Sequence, residues 1–312
     1  MHGLKNRMAS THDHNIRRGI ALIVAAVFMF SSMDTLAKFM LRSGYPVGAL
    51  IWARYAVHLV VTVALLWPRM GSKLFRATRP WLQFLRGLLL VASTLCFYSA
   101  LRHLPLAEAA AISFVGPVMT TLLAGWLLHE RASVRQWIAV LLGFAGVLII
   151  IRPGGALFTP AAVFPLLTAV LFSIYQIVTR RMSGHDHAYT TLFYTALVGG
   201  VVTSVVLPLS WQTPTAGQAA TMIGMGVLGG YGHYLLIRAV EHASPATLAP
   251  FSYSQLVWST ILGYIAFRDF PDAGSFIGMA VVVLAGLLAL NWKQIRTPFG
   301  AARGGARKGG GQ

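Results

Sequence analysis

Ten long apolar stretches run through this chain, and almost every one is bracketed by Lys or Arg on one side only. A bilayer core demands ~20 such residues per helix. A helix closes its own backbone hydrogen bonds, which water cannot do inside a membrane. The stretches lie near 19–40, 46–67, 81–101, 105–128, 134–151, 159–179, 188–209, 217–238, 245–267 and 274–291. Hydrophobic residues make up 56% of the chain and charged residues 11%, against about 25% charged in a soluble domain. The connections are too short for a soluble domain. The chain therefore reads as an all-α membrane protein, with a tail at each end: residues 1–18 and residues 297–312. Both tails lack apolar surface to bury and are expected to be disordered.

The formal net charge is +17. On a soluble protein that would suggest nucleic acid. Here the positive-inside rule accounts for it, and no nucleic-acid partner is expected. With the N-terminus in the cytoplasm, 18 of the 25 Lys and Arg lie inside and four (Arg42, Arg102, Arg152, Arg268) lie outside. The other three, Lys38, Arg54 and Arg86, fall within spans. The bias orients the chain with both termini cytoplasmic in the inner (plasma) membrane, and the number of spans is then even. The first stretch is too long for a cleavable signal and holds Asp34 and Lys38, so it reads as a retained helix. The lone Cys96 can form no internal disulfide and is expected to be a buried thiol.

The chain repeats itself at an offset of about 140 residues. Phe30-Ser31 with Asp34 and Lys38 aligns with Phe172-Ser173 with Gln176 and Arg180. Pro117–Gly125 falls opposite Gln255–Gly263, and LLGFAGVLII (141–150) resembles VVVLAGLLAL (281–290). Each half, 19–151 and 159–292, then holds five spans. Five is odd, so the halves have inverted topology. Such repeats let a midplane site open first to one side and then to the other.

The segment ALRHLPLAEAAAISFVGPVMTTLLAGWLLHE (100–130), followed by QWIAVLLGFAGVLII (136–150), resembles the first EamA-type repeat of the drug/metabolite transporter superfamily. ASPATLAPFSYSQLVWSTILGYIAFRDFPD (243–272) resembles the matching part of the second repeat. TRPWLQFLRGLLL (78–90) is similar to a subgroup that includes S-adenosylmethionine and riboflavin transporters. The resemblance spans residues 19–292 and implies a ten-helix secondary transporter. It departs from the usual pattern in the second repeat, where Gln255 stands opposite Pro117.

Ionisable side chains inside a membrane are costly and mark functional candidates. Asp34 and Lys38 share one face of the first span, Arg54 and His58 one face of the second. Counted by helical rise, Asp34, Arg54 and Glu108 lie at similar depth in the outer half, so three helices are expected to bring them into one polar cluster. Asp34, Lys38, His58 and Glu108 are the candidates for coupling or gating. An ion pair that only staples helices, and capping of the helix that starts at Pro105, are the plainer readings of Asp34–Lys38 and Glu108. Arg86, near the inner surface, is expected to snorkel. Pro250 should free a backbone carbonyl in the ninth span. The candidate substrate-binding residues are Arg54, Tyr98, Tyr175, Gln176, Ser252, Tyr253, Gln255 and Trp258.

GMGVLG (224–229) satisfies GxGxxG but lies in an apolar span with no preceding strand, so small-residue helix packing explains it. There is no GxxxxGK[ST], and so no support for an ATP-driven pump. His12-Asp13-His14 and His185-Asp186-His187 read as solvated loops rather than metal sites. No cofactor is expected. The leading function is a secondary transporter of a small polar organic metabolite (an amino acid, S-adenosylmethionine, riboflavin or similar), energised by protons, a counter-solute or downhill flow. A homodimer is the candidate assembly. The alternative class is an integral-membrane enzyme such as a lipid-modifying transferase. For that class the chain offers no HExxH, Cys/His pair or Asp-rich motif.

Overall fold

The computed structural model describes residues 2–116, 118–120, 123, 134–152, 154–155, 157–182, 185–243 and 245–289. All regular structure among them is helical. The long helices are α1 (His2–Arg42), α2 (Val47–Met70), α3 (Pro80–Leu101), α4 (Leu106–Ser113), α5 (Val134–Ile151), α6 (Val163–Met182), α7 (Ala188–Val206), α8 (Ala216–His242), α9 (Pro245–Ser252), α10 (Ser254–Phe267) and α11 (Ala273–Ala289). Among the described residues, six helices are long and apolar enough to cross a membrane, and the apolar helices Leu106–Thr120, Trp137–Ile151 and Ala273–Leu288 are shorter.

Each predicted stretch is mainly helix where it is described, with the stretches 105–128 and 245–267 interrupted inside. The N-terminal tail is the exception to the expectation of disorder: α1 is helical from His2. Local chemistry starts and stops the helices. Pro80 opens α3 at a position whose N–H has no helical partner anyway. Thr215 and Gln218 form a reciprocal capping box at the start of α8. Gly44, at φ 81°, makes the turn from α1 to α2 that a side chain would strain. The Pro117 kink and the 297–312 tail lie outside the described residues.

The core is mainly apolar, but it also encloses polar side chains such as Ser31, Thr62, Ser93 and Thr195. Phe39, Leu141, Val205 and Leu284 are exposed, as a surface that meets lipid allows. α1 lies along α8, α5 along α11, α3 along α6, and α2 against both α7 and α8. Small residues let these backbones approach. Gly226 and Gly230, from the segment that mimics a dinucleotide motif, face Val57 and Val61 of α2. Gly146 and Gly278 face one another's backbones where α5 meets α11.

Candidate functional site

Two helices are interrupted, at matching places. α4 breaks at Phe114–Val115 and the α9–α10 pair breaks at Tyr253. At the first break Val115 N–H donates to Ile112 O (3.2 Å) and Val118 N–H to Val115 O (2.9 Å). At the second, Tyr253 N–H donates to Pro250 O (3.4 Å) and Leu256 N–H to Tyr253 O (3.0 Å). Each break is thus one tightened turn, which leaves carbonyls in need of donors. Serines from neighbouring helices supply them. Ser173 on α6 donates to Gly116 O (2.8 Å), and Ser31 on α1 donates to Gln255 O (3.4 Å). These are the serines that the internal repeat aligns. Pro250, three residues before the second break, has no N–H to donate to Ala246, so the segment that leads into the break lacks one helical bond.

The breaks face each other, with Phe114 and Tyr253 ring centroids 5.3 Å apart. The Tyr253 hydroxyl is buried and has no hydrogen-bond partner, and it abuts Gly286, where any Cβ would collide with it. Trp258 packs edge-on to Phe28 at 5.0 Å and leaves its indole N–H unpaired. Ser252 and Gln255 are partly buried beside the break.

Arg54 stands in a buried polar pocket between α1, α2, α3 and α8. Its guanidinium lies 5.4 Å from the Tyr55 ring centroid and 5.7 Å from that of Tyr98, and it reaches Thr94 Oγ1 at 3.4 Å. Asp34, also buried, acts on it electrostatically. Among the described residues, buried His58 Nε2 has no partner, and buried Arg54 Nε and Tyr98 Oη have none beyond each other. His58 stacks on His233 with parallel rings 5.3 Å apart. Glycines make the room: Gly229 leaves space beside Arg54, and Gly230 beside His58.

The predicted single cluster of Asp34, Arg54 and Glu108 is two groups. Asp34 and Arg54 share the inner pocket. Lys38, one turn further along α1, pairs with Asp269 (3.4 Å) rather than with Asp34, and donates to Leu104 O at 2.5 Å. Arg42 joins Asp269 at 2.7 Å, and Arg152 pairs with Asp272. Glu108 lies at this same end, buried, with Oε2 unpaired. Helix α1 turns Lys38 toward the α10–α11 connection, and sequence spacing carries no information about that contact.

Arg86 does not snorkel. It is buried, donating to Thr179 Oγ1 (2.8 Å), Thr191 O (3.2 Å), Thr195 and Tyr175. Its carbon stem cannot reach the surface from about a turn and a half into α3, so hydroxyls on α6 and α7 take its donors. The signal in the sequence was the Thr191/Thr195 pair at helical spacing. Tyr175 therefore belongs to the Arg86 group, and Gln176, the next residue, is exposed on the outer face of α6 and joins neither group. Cys96 is half-buried rather than buried.

The opposite end of the bundle, where Arg69 lies, is latched by Asp186. It accepts from the Thr78 amide (2.7 Å), the Thr78 hydroxyl and Gln83 Nε2 (2.8 Å). His187 caps α7, its Nδ1 accepting from Tyr189 N–H at 3.2 Å. Burial pushes the Asp186 carboxyl up, but the bonds from Thr78 and Gln83 outweigh it and hold the group below its ordinary 3.8. A carboxyl depressed by folding stabilises above its unfolded pKa, and that stabilisation is lost as pH falls through the folded value. The stability advantage of wild type over Asp186→Asn should therefore be constant above the ordinary value of 3.8 and shrink as the pH drops below it. Thermal unfolding against pH measures this, and parallel curves for the two proteins would refute it.

One family model, the EamA-like transporter family, matches the chain twice, over residues 17–152 and 159–291. The chain is 30% identical over 220 residues to the S-adenosylmethionine uptake transporter of Rickettsia bellii, covering 70% of this chain and 76% of that one. It is 28% identical over 275 residues to the pseudopaline exporter CntI of Pseudomonas aeruginosa, covering 86% and 95%. To the riboflavin transporter of Vibrio cholerae it is 24% identical over 284 residues, covering 90% and 95%. A solved structure titled "Crystal structure of protein" has the same fold, with a TM-score of 0.59 at 21% identity, covering 85% of this chain and 96% of that one. The family and the relatives' names point to transport rather than catalysis. Two matches to one model, on a bundle whose helices cross a membrane, make this a multi-pass membrane protein that belongs to the EamA-like transporter family of the drug/metabolite transporter superfamily.

Proposed function

We propose that this chain is a secondary transporter that carries a small polar organic metabolite with an anionic group across the inner membrane by alternating access. The observation that carries the reading is the buried Arg54 guanidinium, whose Nε and the adjoining Tyr98 hydroxyl have, among the described residues, no partner beyond each other. Unmet buried donors are costly. A solute carboxylate would satisfy both, in the bidentate geometry that a guanidinium favours. Tyr253, Gln255 and Trp258 at the helix break would line the same path, and Asp34 and Glu108 are the carboxylates available to a coupled proton.

Ten spans in two inverted five-helix halves, 19–151 and 159–292, form the architecture of this reading. The pairing of helices supports it. Exchanging the halves turns the α1–α8 contact into α6–α3, and the break at Val115 into that at Tyr253. Purified protein in liposomes tests the function: labelled candidate metabolites should accumulate or exchange without chemical change. A modified product would instead favour a membrane enzyme.

Both termini are proposed to be cytoplasmic, with Arg69–Arg79 inside and Trp211–Ala216 outside. The motive is the 18-to-4 bias of Lys and Arg. In a variant with Cys96 replaced by Ser, a membrane-impermeant thiol reagent applied to whole cells should label a cysteine introduced at Thr213 and not one introduced at Arg76. The reverse labelling would invert the orientation.

A further inference from the structure

A cavity of about 550 Å³ opens at the Arg42 end of the bundle. Its wall includes Ile150, Leu157 and Phe270, together with Glu108, Arg152 and Asp272. The volume is in the range of pockets that hold small organic ligands, roughly 300–1,000 Å³. The charges on its wall are not equally free. Asp272 accepts from the Arg152 guanidinium and from the Ser275 amide (2.8 Å), so both members of that pair are occupied. Lys38 acts on Glu108 electrostatically, but its ammonium is held by Leu104 O and Asp269. Glu108 is only 5% exposed, and its Oε2 has no hydrogen-bond partner among the described residues. The dipole of α4 explains a carboxylate in its first turn. It does not explain an oxygen left without a donor, a state that costs free energy in any buried group.

We propose that this cavity is a vestibule site for an organic ammonium group: a protonated amine that donates to Glu108 while its carbon body lies on Ile150, Leu157 and Phe270. The chemistry follows from the wall. The open group is an acceptor, which calls for a donor. Of the two carboxylates on the wall, Asp272 is bound to a guanidinium and Glu108 is not, which leaves Glu108 open to a cationic donor. Ile150, Ile151, Leu157 and Phe270 form the apolar part of the wall, with one aromatic ring, which suits alkyl carbon next to a cation. Torsion about the last bond of a Glu side chain is broad, so the open oxygen can turn to the cavity at small cost. On the transporter reading, the vestibule would receive the amino end of a solute before its anionic end reaches Arg54. The proposal rests on that reading for its purpose only, since binding is tested apart from flux.

The purified full-length chain is melted with increasing n-butylammonium chloride. The unfolding midpoint should rise for wild type. It should not rise with n-butanol or with sodium chloride at equal ionic strength, nor with n-butylammonium in Glu108→Gln. A second measurement needs no variant, and stands even if Glu108→Gln fails to fold. Wild type is treated with dicyclohexylcarbodiimide, and modification of Glu108 is followed by peptide mass spectrometry. With n-butylammonium at about ten times its dissociation constant, modification should slow about tenfold, as free sites are depleted. The proposal is overturned if n-butanol protects equally, if the reagent never reaches Glu108, or if stabilisation persists in Glu108→Gln. Loss of the transporter reading would appear as absent flux in liposomes, a result that neither arm measures.

Discussion

Arg54→Ala should lower solute flux in liposomes by roughly a hundredfold or more while the protein still accumulates in the membrane. Each hydrogen bond to a charged group contributes about 1.5–3 kcal/mol, so losing a two-pronged contact costs at least about 3 kcal/mol. Arg54 is buried, Tyr55 and Tyr98 hold its guanidinium over their rings, and the Thr94 hydroxyl accepts from it. These contacts fix the fork in place and leave Nε open. Arg54→Lys should not restore flux, because an ammonium is a point charge without the planar fork. Initial rates at matched membrane abundance decide the matter. Normal flux in Arg54→Ala would remove Arg54 from the site. Failure to accumulate would make it a structural partner of Asp34 instead.

Asp269→Ala should destabilise the protein by about 3 kcal/mol, the usual cost of leaving one member of a buried pair without the other. Lys38 is 2% exposed and cannot reach water once Asp269 is gone. The Leu104 carbonyl would then be the remaining hydrogen-bond acceptor of Lys38, with Glu108 acting only electrostatically, and Arg42 would lose its anion as well. The double variant Lys38→Met/Asp269→Ala should recover most of the loss, because an apolar side chain of similar length fills the space without a charge to solvate. Thermal unfolding of the three proteins in one detergent measures this. A single variant as stable as wild type would show that the Lys38–Asp269 contact does not hold α1 to the α10–α11 connection. The same pair closes the Arg42 end of the bundle, so a stability change here bears on how that end opens.

The helix breaks show how far local sequence reaches. Pro250 drew attention to one of them, because inside a helix it removes one backbone hydrogen bond, although Pro68 lies inside α2 without breaking it. The serines that the repeat aligned, Ser31 and Ser173, turned out to serve the carbonyls freed at the two breaks. Arg54, Tyr98, Tyr253 and Trp258 were also visible as candidates, since polar atoms inside an apolar run are conspicuous and all four are at least partly buried. Lys38 was visible as a charge and not as a partner of Asp269. Arg86 was visible and misjudged, and Gln176 sits on the outer face of its helix.

By itself the sequence determined the environment, the approximate positions of the apolar helices and the family. Each of these depends on hydropathy over about 20 residues or on short motifs, which are properties of neighbouring positions. Only the tertiary structure decided which way each helix turns and what it touches. That depends on the glycines through which α8 approaches α2 and α5 approaches α11, and on contacts between segments far apart in the chain. Those contacts split the polar residues into an inner pocket around Arg54 and an ion-paired end around Asp269, because one turn of α1 separates Asp34 from Lys38 and carries each to a different neighbour.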